Sequence, residues 1–509
     1  MRSVQPFDFC CRQNTFSLVG EACFARNHTG VMKLDLMSNV LRIKGFPNSW
    51  AFVPRRFRFK KKWSVNQKTL PNCQLALSNF DAFYKPYFGD LWPSIRVSLL
   101  SLPKYCAVIN KYGSSEKISS QLESLSLTNF IRQARKLQHE EMHEKSYMHL
   151  DDREMEGELK HIKSSAAPNK THISSNPSSS PGDDSMNIPS YSNTANEGNL
   201  DDDYLNSQNI NVFVPTEQIY TERDTLLREE MQINTFQNLD GNIEVWPFET
   251  LNISQHFNAY VFARGDVSMF PQAKPHNRIL GYYLMDAASV MPVIALDVQP
   301  TDQVLDLCAA PGGKSYSILQ SLDVFAGGSL CCNDSSPSRL DRLKEVLHSF
   351  FPADIAEQVH VTKFDAKEFL QPRYNKVLVD APCNSDRHVV NVDDNNLFKL
   401  SRTRDRLGLI QTQKELLISG IKACVPGGTI VYSTCTLSPA QNDNVIQSVI
   451  ETLSETSEIQ VAVHDLSPLT ELFDRVFKFH EQSKYGQLIL PNLMNNFGPA
   501  YFAKLKRVK

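Results

Sequence analysis

From about residue 280 onward, short apolar runs alternate with longer segments in which apolar residues recur at helical spacing. Such alternation predicts buried parallel strands separated by amphipathic helices. The predicted strands are 303–307, 329–333, 359–364, 375–379, 429–433, 459–463, 487–490 and 501–505. The predicted helices are 314–322, 337–349, 402–424 and 441–453. We therefore expect a doubly wound, mostly parallel α/β domain over residues 281–509, with ligands bound where the strands end.

The first part of the chain has a different pattern. Residues 80–147 predict a mostly helical structure, and 119–138 has the apolar spacing of one continuous helix. Residues 150–209 are rich in Ser, Asn, Asp and Pro, and such a segment buries too little apolar surface to offset its ordering entropy. We predict a helical N-terminal region within 55–149, a disordered insert at 150–209, and a lead-in to the α/β domain at 210–280.

Charge adds to this picture at the N-terminus. The formal net charge of the chain is −3, so a nucleic-acid partner requires a local basic surface. Residues 37–80 contain no Asp or Glu but nine Lys or Arg, six of them within 55–62. An acid-free, Arg-rich N-terminal tract is typical of a mitochondrial transit peptide, which we assign to 1–54. The crowded stretch at 55–62 is either a disordered basic tail or a basic arm that contacts phosphates.

The most distinctive motif is DLCAAPGGKS at 306–315, where the first predicted strand turns into the first predicted helix. Gly312 and Gly313 would let the backbone approach a ligand closely, although an ordinary strand-to-helix turn also accommodates glycines. The motif ends in GKS like a phosphate-binding P-loop. That loop needs glycine five residues before the second glycine, and Cys308 stands there, so we exclude it.

Four successive predicted strands end near an aspartate: Asp306, Asp334, Asp365 and Asp380. Alone, each is more often a surface or helix-capping carboxylate. Together they predict one nucleoside pocket at the carboxyl edge of the sheet. In such a pocket Asp334 would bind ribose hydroxyls and Asp365 an adenine amino group.

Two cysteines also follow neighbouring strands, Cys383 after the fourth and Cys435 after the fifth. A typical cysteine is a small buried hydrophobic side chain, but these two leave the sheet at the expected ligand edge. The chain has 11 cysteines and no C-x-x-C pair, which disfavours a disulfide framework or a zinc ribbon and indicates a reducing compartment. We assign no residue to a metal.

Three motifs in this order resemble the Nop/Sun (Fmu-like) family of RNA cytosine-5 methyltransferases: DLCAAPGGK, DAPC at 380–383 and YSTCT at 432–436. The segment GYYLMDAAS at 281–289 is similar to the family's lead-in to the catalytic domain. Most members follow the first cysteine with Ser-Gly-x-Gly, whereas residues 384–388 read NSDRH. That ending resembles the mitochondrial rRNA branch of the family. The resemblance extends over about 55–147 and 255–507.

The resemblance implies a Rossmann-like class I methyltransferase fold that uses S-adenosyl-L-methionine. It implies that Cys435 adds to carbon 6 of cytosine and that Cys383 assists product release, although spacing alone does not tell which cysteine attacks. Asp380 is expected to hydrogen-bond the cytosine ring. The cofactor-binding residues that it implies are Gly312, Gly313, Lys314, Asp334, Arg339, Asp365, Ala366 and Asp380.

The same resemblance implies mitochondrial small-subunit rRNA as substrate, a location in the matrix, and ribosomal subunits and a termination-factor-type helical-repeat protein as partners. A non-catalytic ribosome-assembly factor, or a tRNA or DNA methyltransferase, stays open as an alternative. Intact Cys383 and Cys435 argue against the first, and the additional Thr-Cys motif favours RNA over DNA. No apolar run approaches about 18 residues, so we expect no membrane span.

Overall fold

The structure is a computed structural model, and it describes residues 70–140, 243–369 and 371–509. Several expectations lie outside the described residues: the transit peptide at 1–54, the basic stretch at 55–62, the insert at 150–209 and the beginning of the lead-in at 210–242.

The N-terminal region contains the helices that its apolar spacing predicts, and also short strands. Helix α1 covers Pro71–Phe88 and begins with proline, whose missing N–H has no helical partner at that position anyway. Phe80, Tyr84 and Phe88 recur every four residues and are all buried. The elements that follow are α2 (Trp92–Leu100), β1 (Cys106–Ile109), α3 (Ser115–Ser124), β2 (Thr128–Asn129) and α4 over 130–140.

The described part of the lead-in contributes short strands. They are β3 (Val245–Trp246), β4 (Ala259–Val261), β5 (Pro275–His276), β6 (Ile279–Leu280) and β7 (Tyr282–Met285). Strands β2, β4, β1 and β7 form an antiparallel sheet in that order. This sheet therefore joins the chain before residue 140 to the chain after residue 243.

The continuous helix expected over 119–138 is wrong in its middle. Helix α3 ends at Ser124, Ser126 has a left-handed φ of 61°, and β2 pairs with β4 before α4 begins. Leu125, which fits the apolar spacing, is exposed at this break. The spacing misleads because apolar residues on both sides of the break pack into the interior.

The C-terminal part alternates helices and strands. They are α5 (Met291–Leu296), β8 (Gln303–Asp306), α6 (Gly313–Ser321), β9 (Ser329–Asn333), α7 (Pro337–Phe350), α8 (Ala353–Ala356), β10 (His360–Thr362), β11 (Tyr374–Asp380), α9 (Asp386–Asn391), α10 (Thr403–Leu407), α11 (Leu409–Ala423), β12 (Cys424–Thr434), α12 (Asp443–Thr456), β13 (Val461–His464), α13 (Ser467–Phe473), β14 (Lys478–Phe479), β15 (Gln487–Leu490) and β16 (Ala500–Arg507).

The strand order of the large sheet is β10-β9-β8-β11-β12-β16-β13-β3, and β15 pairs with β16 and β14. In this order, the strands from β10 to β12 run parallel to one another. Strand β16 is antiparallel to both β12 and β13. This confirms the predicted doubly wound, mostly parallel sheet. The chain proceeds from β8 to β9 and β10 on one side and returns to β11 and β12 on the other. The switch point, where such folds bind ligands, lies between β8 and β11.

The strands separate two hydrophobic cores. Successive side chains of a strand point to opposite faces, so Val304 packs with the cluster that includes α5 and α7, and Leu305 with the cluster that includes α1 and α11. Leu378 and Val379 on β11 divide in the same way. Burial on both faces explains why these strands read as continuous apolar runs.

The helix expected over 402–424 consists of two helices, α10 and α11, separated at Gly408. Strand β12 begins at Cys424, earlier than its apolar run predicts, because Cys424 already pairs with Tyr374 of β11. Neither difference changes the topology. Among the described residues, no helix combines the length and apolar character needed to cross a bilayer.

Candidate active site

The switch point of the large sheet gathers most of the side chains that the sequence singles out. Strands β8 and β11 pair side by side and end at Asp306 and Asp380. Asp334 follows β9 on one side, and Cys435 follows β12 on the other. Because the carboxyl ends of parallel strands share one edge, these four residues lie along one stretch of that edge.

The turn between β8 and α6 depends on glycine. Gly312 has a φ of 111°, in the left-handed region that favours glycine. A Cβ at this position would lie 2.8 Å from the Leu343 Cδ1 atom on α7. Both the backbone and the packing therefore exclude a side chain at the position where the sequence predicts a close approach to a ligand.

Asp306 is fully buried at the end of β8. Its Oδ2 accepts a hydrogen bond of 2.6 Å from Ser315 Oγ, whereas its Oδ1 has no partner within the described part of the chain. Burial raises the pKa of the Asp306 carboxyl to about 7, although the Ser315 hydrogen bond opposes this change. Near neutral pH this buried group is therefore partly protonated.

Asp334 is the second buried carboxylate of the site. Its Oδ1 accepts a hydrogen bond of 2.9 Å from the Ser336 N–H. Its Oδ2 lies 3.3 Å from Arg339 Nη2 but has no hydrogen-bond partner among the described residues. Arg339 also donates to the Ala310 carbonyl in the glycine turn. Arg339 thus links the turn to the end of β9, and Asp334 Oδ2, although ion-paired, can still accept a hydrogen bond from a ligand.

Asp365 and Ala366 lie a few residues beyond the end of β10. Asp365 is exposed, and its Oδ1 accepts a hydrogen bond of 3.1 Å from the Lys367 N–H. Ala366 is buried, and its carbonyl accepts a hydrogen bond from Ser419 Oγ on α11. The hydrogen bond that the Asp365 carboxylate accepts is therefore local, from a residue two positions further along the chain.

Lys314 and Asp380 connect the glycine turn to the strand that precedes Cys383. Lys314 Nζ donates to Asp380 Oδ2 at 2.7 Å, and Ser433 Oγ donates to Asp380 Oδ1 at 2.7 Å. Burial would lower the pKa of Lys314, but the neighbouring Asp380 outweighs it and the pKa is raised. Lys314 is therefore a cation that fixes the orientation of Asp380. Ser433 also belongs to this network. From the sequence it had no role beyond its place in the YSTCT motif.

Cys383 and Cys435 lie against each other. Their Sγ atoms are 3.3 Å apart, and the Cys435 N–H donates to Cys383 Sγ at 3.3 Å. Both are free cysteines; Cys383 is buried and Cys435 is exposed. The hydrogen bond from Cys383 lowers the pKa of Cys435, whereas the same contact, together with burial, raises the pKa of Cys383. The pair thus combines an accessible sulfur, whose pKa is lowered although burial opposes this change, with a thiol whose pKa is raised.

Ser385 is a neighbour of both sulfurs that the sequence did not single out. Its Oγ lies 3.4 Å from Cys435 Sγ, which donates to it, and 3.8 Å from Cys383 Sγ. The departure of residues 384–388 from Ser-Gly-x-Gly was the only sequence signal at this position. That signal marked a difference from most of the family but gave no role to the side chain.

Asp386, the next residue, was also missed. It is buried, and its carboxylate accepts hydrogen bonds from Thr436 Oγ1 at 2.9 Å, the Leu437 N–H at 2.7 Å and Tyr84 Oη at 3.0 Å. Burial raises its pKa to about 6, against these hydrogen bonds. Asp386 therefore ties together the segments that follow β11 and β12 and helix α1.

The chain is similar to a class of enzymes that modify RNA. Residues 293–505 match the family described as 16S rRNA methyltransferase RsmB/F. The chain belongs to this RsmB/F (Nop/Sun) family of RNA methyltransferases, which confirms the resemblance carried by its three motifs.

Two relatives cover about nine tenths of the chain, and a third covers less than half of it. The 5-cytosine rRNA methyltransferase NSUN4 of Mus musculus is 37% identical over 462 residues, which are 90% of this chain and 94% of the relative. The 5-cytosine rRNA methyltransferase nsun-4 of Caenorhabditis elegans is 30% identical over 89% of this chain and 96% of the relative. A mitochondrial tRNA (cytosine(34)-C(5))-methyltransferase of Danio rerio is 39% identical over 45% of this chain and 61% of the relative.

Proposed function

We propose that this protein is an S-adenosylmethionine-dependent RNA (cytosine-5) methyltransferase that acts on mitochondrial small-subunit rRNA through a covalent cysteine–cytosine intermediate. The observation that carries the proposal is the contact between Cys383 and Cys435 at the edge where the acidic pocket lies. Family membership and the names of the relatives support RNA and carbon 5 of cytosine as the targets.

The glycine turn and the end of β9 fit S-adenosylmethionine. Asp334 Oδ2 is buried without a hydrogen-bond partner among the described residues, which suits a carboxylate that receives ribose hydroxyls. Gly312 gives the turn its left-handed conformation and its close packing against α7, where a Cβ would lie 2.8 Å from Leu343 Cδ1. When bound, S-adenosylmethionine supplies an electrophilic methyl group. The residues that we assign to hold it are Gly312, Gly313, Lys314, Asp334, Arg339, Asp365, Ala366 and Asp380.

Cys435 is the nucleophile in this proposal. It is the exposed member of the pair, and its pKa is lowered, so at a given pH more of it is thiolate than of an ordinary cysteine. The sulfur forms a bond to carbon 6 of cytosine, and the electron pair of the 5,6 double bond moves to carbon 5. Asp380, held by Lys314 and Ser433, hydrogen-bonds the cytosine ring and favours this addition. Carbon 5 thereby becomes nucleophilic enough to form a bond to the methyl carbon, whose bond to the cofactor sulfur would break with the electron pair left on that sulfur.

Cys383 acts when the product is released. Carbon 5 loses its proton to a base, the electron pair restores the 5,6 double bond, and the bond between Cys435 Sγ and carbon 6 breaks. Burial and the contact with Cys435 raise the pKa of Cys383, so this thiol keeps its proton. At 3.3 Å it can protonate the departing sulfur of Cys435.

The cellular part of the proposal places the enzyme in the mitochondrial matrix, with a role in ribosome assembly. It rests on the acid-free tract at 37–80, on the ending at 384–388 and on the rRNA named for the relatives. Ribosomal subunits and a termination-factor-type helical-repeat protein are the partners proposed. A mitochondrial tRNA is the second candidate substrate, favoured by the relative from Danio rerio.

Bisulfite sequencing of mitochondrial rRNA and tRNA from cells that lack the protein tests this function. We expect one rRNA cytosine to lose 5-methylation, wild-type protein to restore it, and Cys435→Ala protein at equal abundance not to restore it. Loss of methylation in tRNA alone would support the second candidate. Restoration by Cys435→Ala would contradict the proposed chemistry.

A further inference from the structure

Ser385 has a backbone conformation that serine rarely adopts. Its φ and ψ are 54° and 59°, in the left-handed region, where a side chain strains the backbone. The Ser-Gly-x-Gly pattern of most family members has glycine here, which adopts this conformation without that strain. We therefore expect the Ser385 side chain to make a contact that offsets this strain.

Helix capping does not account for the side chain. Ser385 is the residue that precedes α9, a position where a serine hydroxyl usually accepts a hydrogen bond from the first turn. Here the side chain makes no capping hydrogen bond, and only the Ser385 carbonyl receives the His388 and Val389 N–H groups. The hydroxyl instead lies 3.4 Å from Cys435 Sγ and 3.8 Å from Cys383 Sγ.

We propose that Ser385 is a catalytic residue whose hydroxyl stabilises the thiolate of Cys435. This inference rests on the proposed function and assigns to it a residue that touches the reacting sulfur. A serine hydroxyl both accepts and donates, and its proton rotates freely. It accepts from the Cys435 thiol at 3.4 Å, and once that thiol has lost its proton to solvent the hydroxyl donates to the sulfur. The left-handed backbone is the conformation that holds it there.

The electrostatic surroundings are consistent with this role. The hydrogen bond from Cys383 lowers the pKa of Cys435 most, burial of the sulfur opposes this change, and the hydrogen bond from Ser385 lowers the pKa further. The charged groups that also act on Cys435 are Asp380, which raises its pKa, and Lys314, which lowers it. Substituting Ser385 leaves both charges in place, so its contribution can be measured separately.

The test is the pH dependence of alkylation of Cys435 by iodoacetamide, followed by peptide mass spectrometry on the full chain without RNA or cofactor. Ser385→Ala removes the hydroxyl, and Ser385→Gly removes both the hydroxyl and the strain. Loss of a hydrogen bond to a charged group should raise the midpoint for Cys435 by about one pH unit in both variants. Cys424, the first residue of β12, is an internal control, since it is buried and burial raises its pKa to about 12.

Ser126→Gly is the matched control variant. Ser126 also has a left-handed φ, 61°, but it lies in the exposed turn between α3 and β2. Both glycine variants should melt at or above the wild-type temperature, whereas only Ser385→Gly should shift the Cys435 midpoint. An unchanged midpoint in Ser385→Ala and Ser385→Gly would overturn the proposal, as would an equal shift in Ser126→Gly. Because no RNA is present, this result is independent of the methylation test.

Discussion

The buried carboxylates in the two halves of the site differ in how completely they are hydrogen-bonded. In the glycine-turn half, residues 306–314 together with Asp334, the two buried carboxylates each keep an oxygen without a hydrogen-bond partner among the described residues. In the cysteine half, residues 381–386 and 435–437, both oxygens of Asp386 are bonded, by three donors in all.

This difference indicates which half needs a ligand to be complete. A buried acceptor without a partner costs free energy, and a ligand that donates to it recovers that free energy. A fully bonded network is instead rigid by itself. Under the proposed function, a cofactor that donates to these oxygens would complete the glycine-turn half. In the cysteine half the carboxylate is already fully bonded, and the buried oxygen without a hydrogen-bond partner among the described residues is the amide Oδ1 of Asn384.

The largest effect is expected from breaking the network of the cysteine half. Asp386→Ala leaves the Leu437 N–H and the hydroxyls of Thr436 and Tyr84 without their acceptor, so the free energy of unfolding should fall by roughly 3 kcal/mol. Asp386→Asn retains an acceptor and should lose much less. Urea denaturation measures both variants, and equal losses would contradict the network.

A smaller effect on the free energy of unfolding is expected from the proton that Asp306 binds in the glycine-turn half. The folded-state pKa of Asp306 is about 7, above its ordinary value of about 3.9, so the folded protein binds an extra proton between these values. Wild-type stability therefore falls as pH rises through that window. Asp306→Asn lacks this loss, so its stability relative to wild type should rise by about 2 kcal/mol between pH 5 and pH 7. The free energies of unfolding of both cofactor-free proteins are measured by urea denaturation at each pH. If they change with pH in the same way, the raised pKa of Asp306 is contradicted.

The smallest effect is expected at Asp334 Oδ2, which is ion-paired with Arg339 but has no hydrogen-bond partner among the described residues. Asp334→Ala removes a proposed acceptor of ribose hydroxyls, so affinity for S-adenosylhomocysteine should fall roughly tenfold in isothermal titration calorimetry. Asp341→Ala, at an exposed position on α7, is the matched control and should bind normally. Normal affinity in Asp334→Ala would remove the basis for treating the glycine-turn half as a cofactor site.

Much of the site could be predicted from the sequence because it lies at strand ends. The alternation of apolar runs locates β8, β9, β11 and β12, and parallel strands bring their carboxyl ends to one edge. Asp306, Asp334, Asp380 and Cys435 thus fall at that edge in both sequence and structure. Asp365 fits less well, because β10 ends at Thr362 and the aspartate caps a local turn.

The remaining features depend on tertiary contacts that no local pattern encodes. Tyr84 on α1 reaches Asp386 from 302 residues away, and the left-handed backbone of Ser385 is set by the segments around it. The short strands β1 and β4 each pair with distant segments and carry too few residues for a visible alternation. Periodicity detects elements that bury one face over many residues, and these features do not.

Covalent trapping tests the central claim most directly. Cys383→Ala and Cys435→Ala proteins are each incubated with a small-subunit rRNA transcript and S-adenosylmethionine, then analysed on denaturing gels. If Cys435 attacks and Cys383 serves only release, Cys383→Ala accumulates a protein–RNA adduct that survives denaturation, and Cys435→Ala forms none. An adduct in Cys435→Ala but not in Cys383→Ala would reverse the roles and contradict this account.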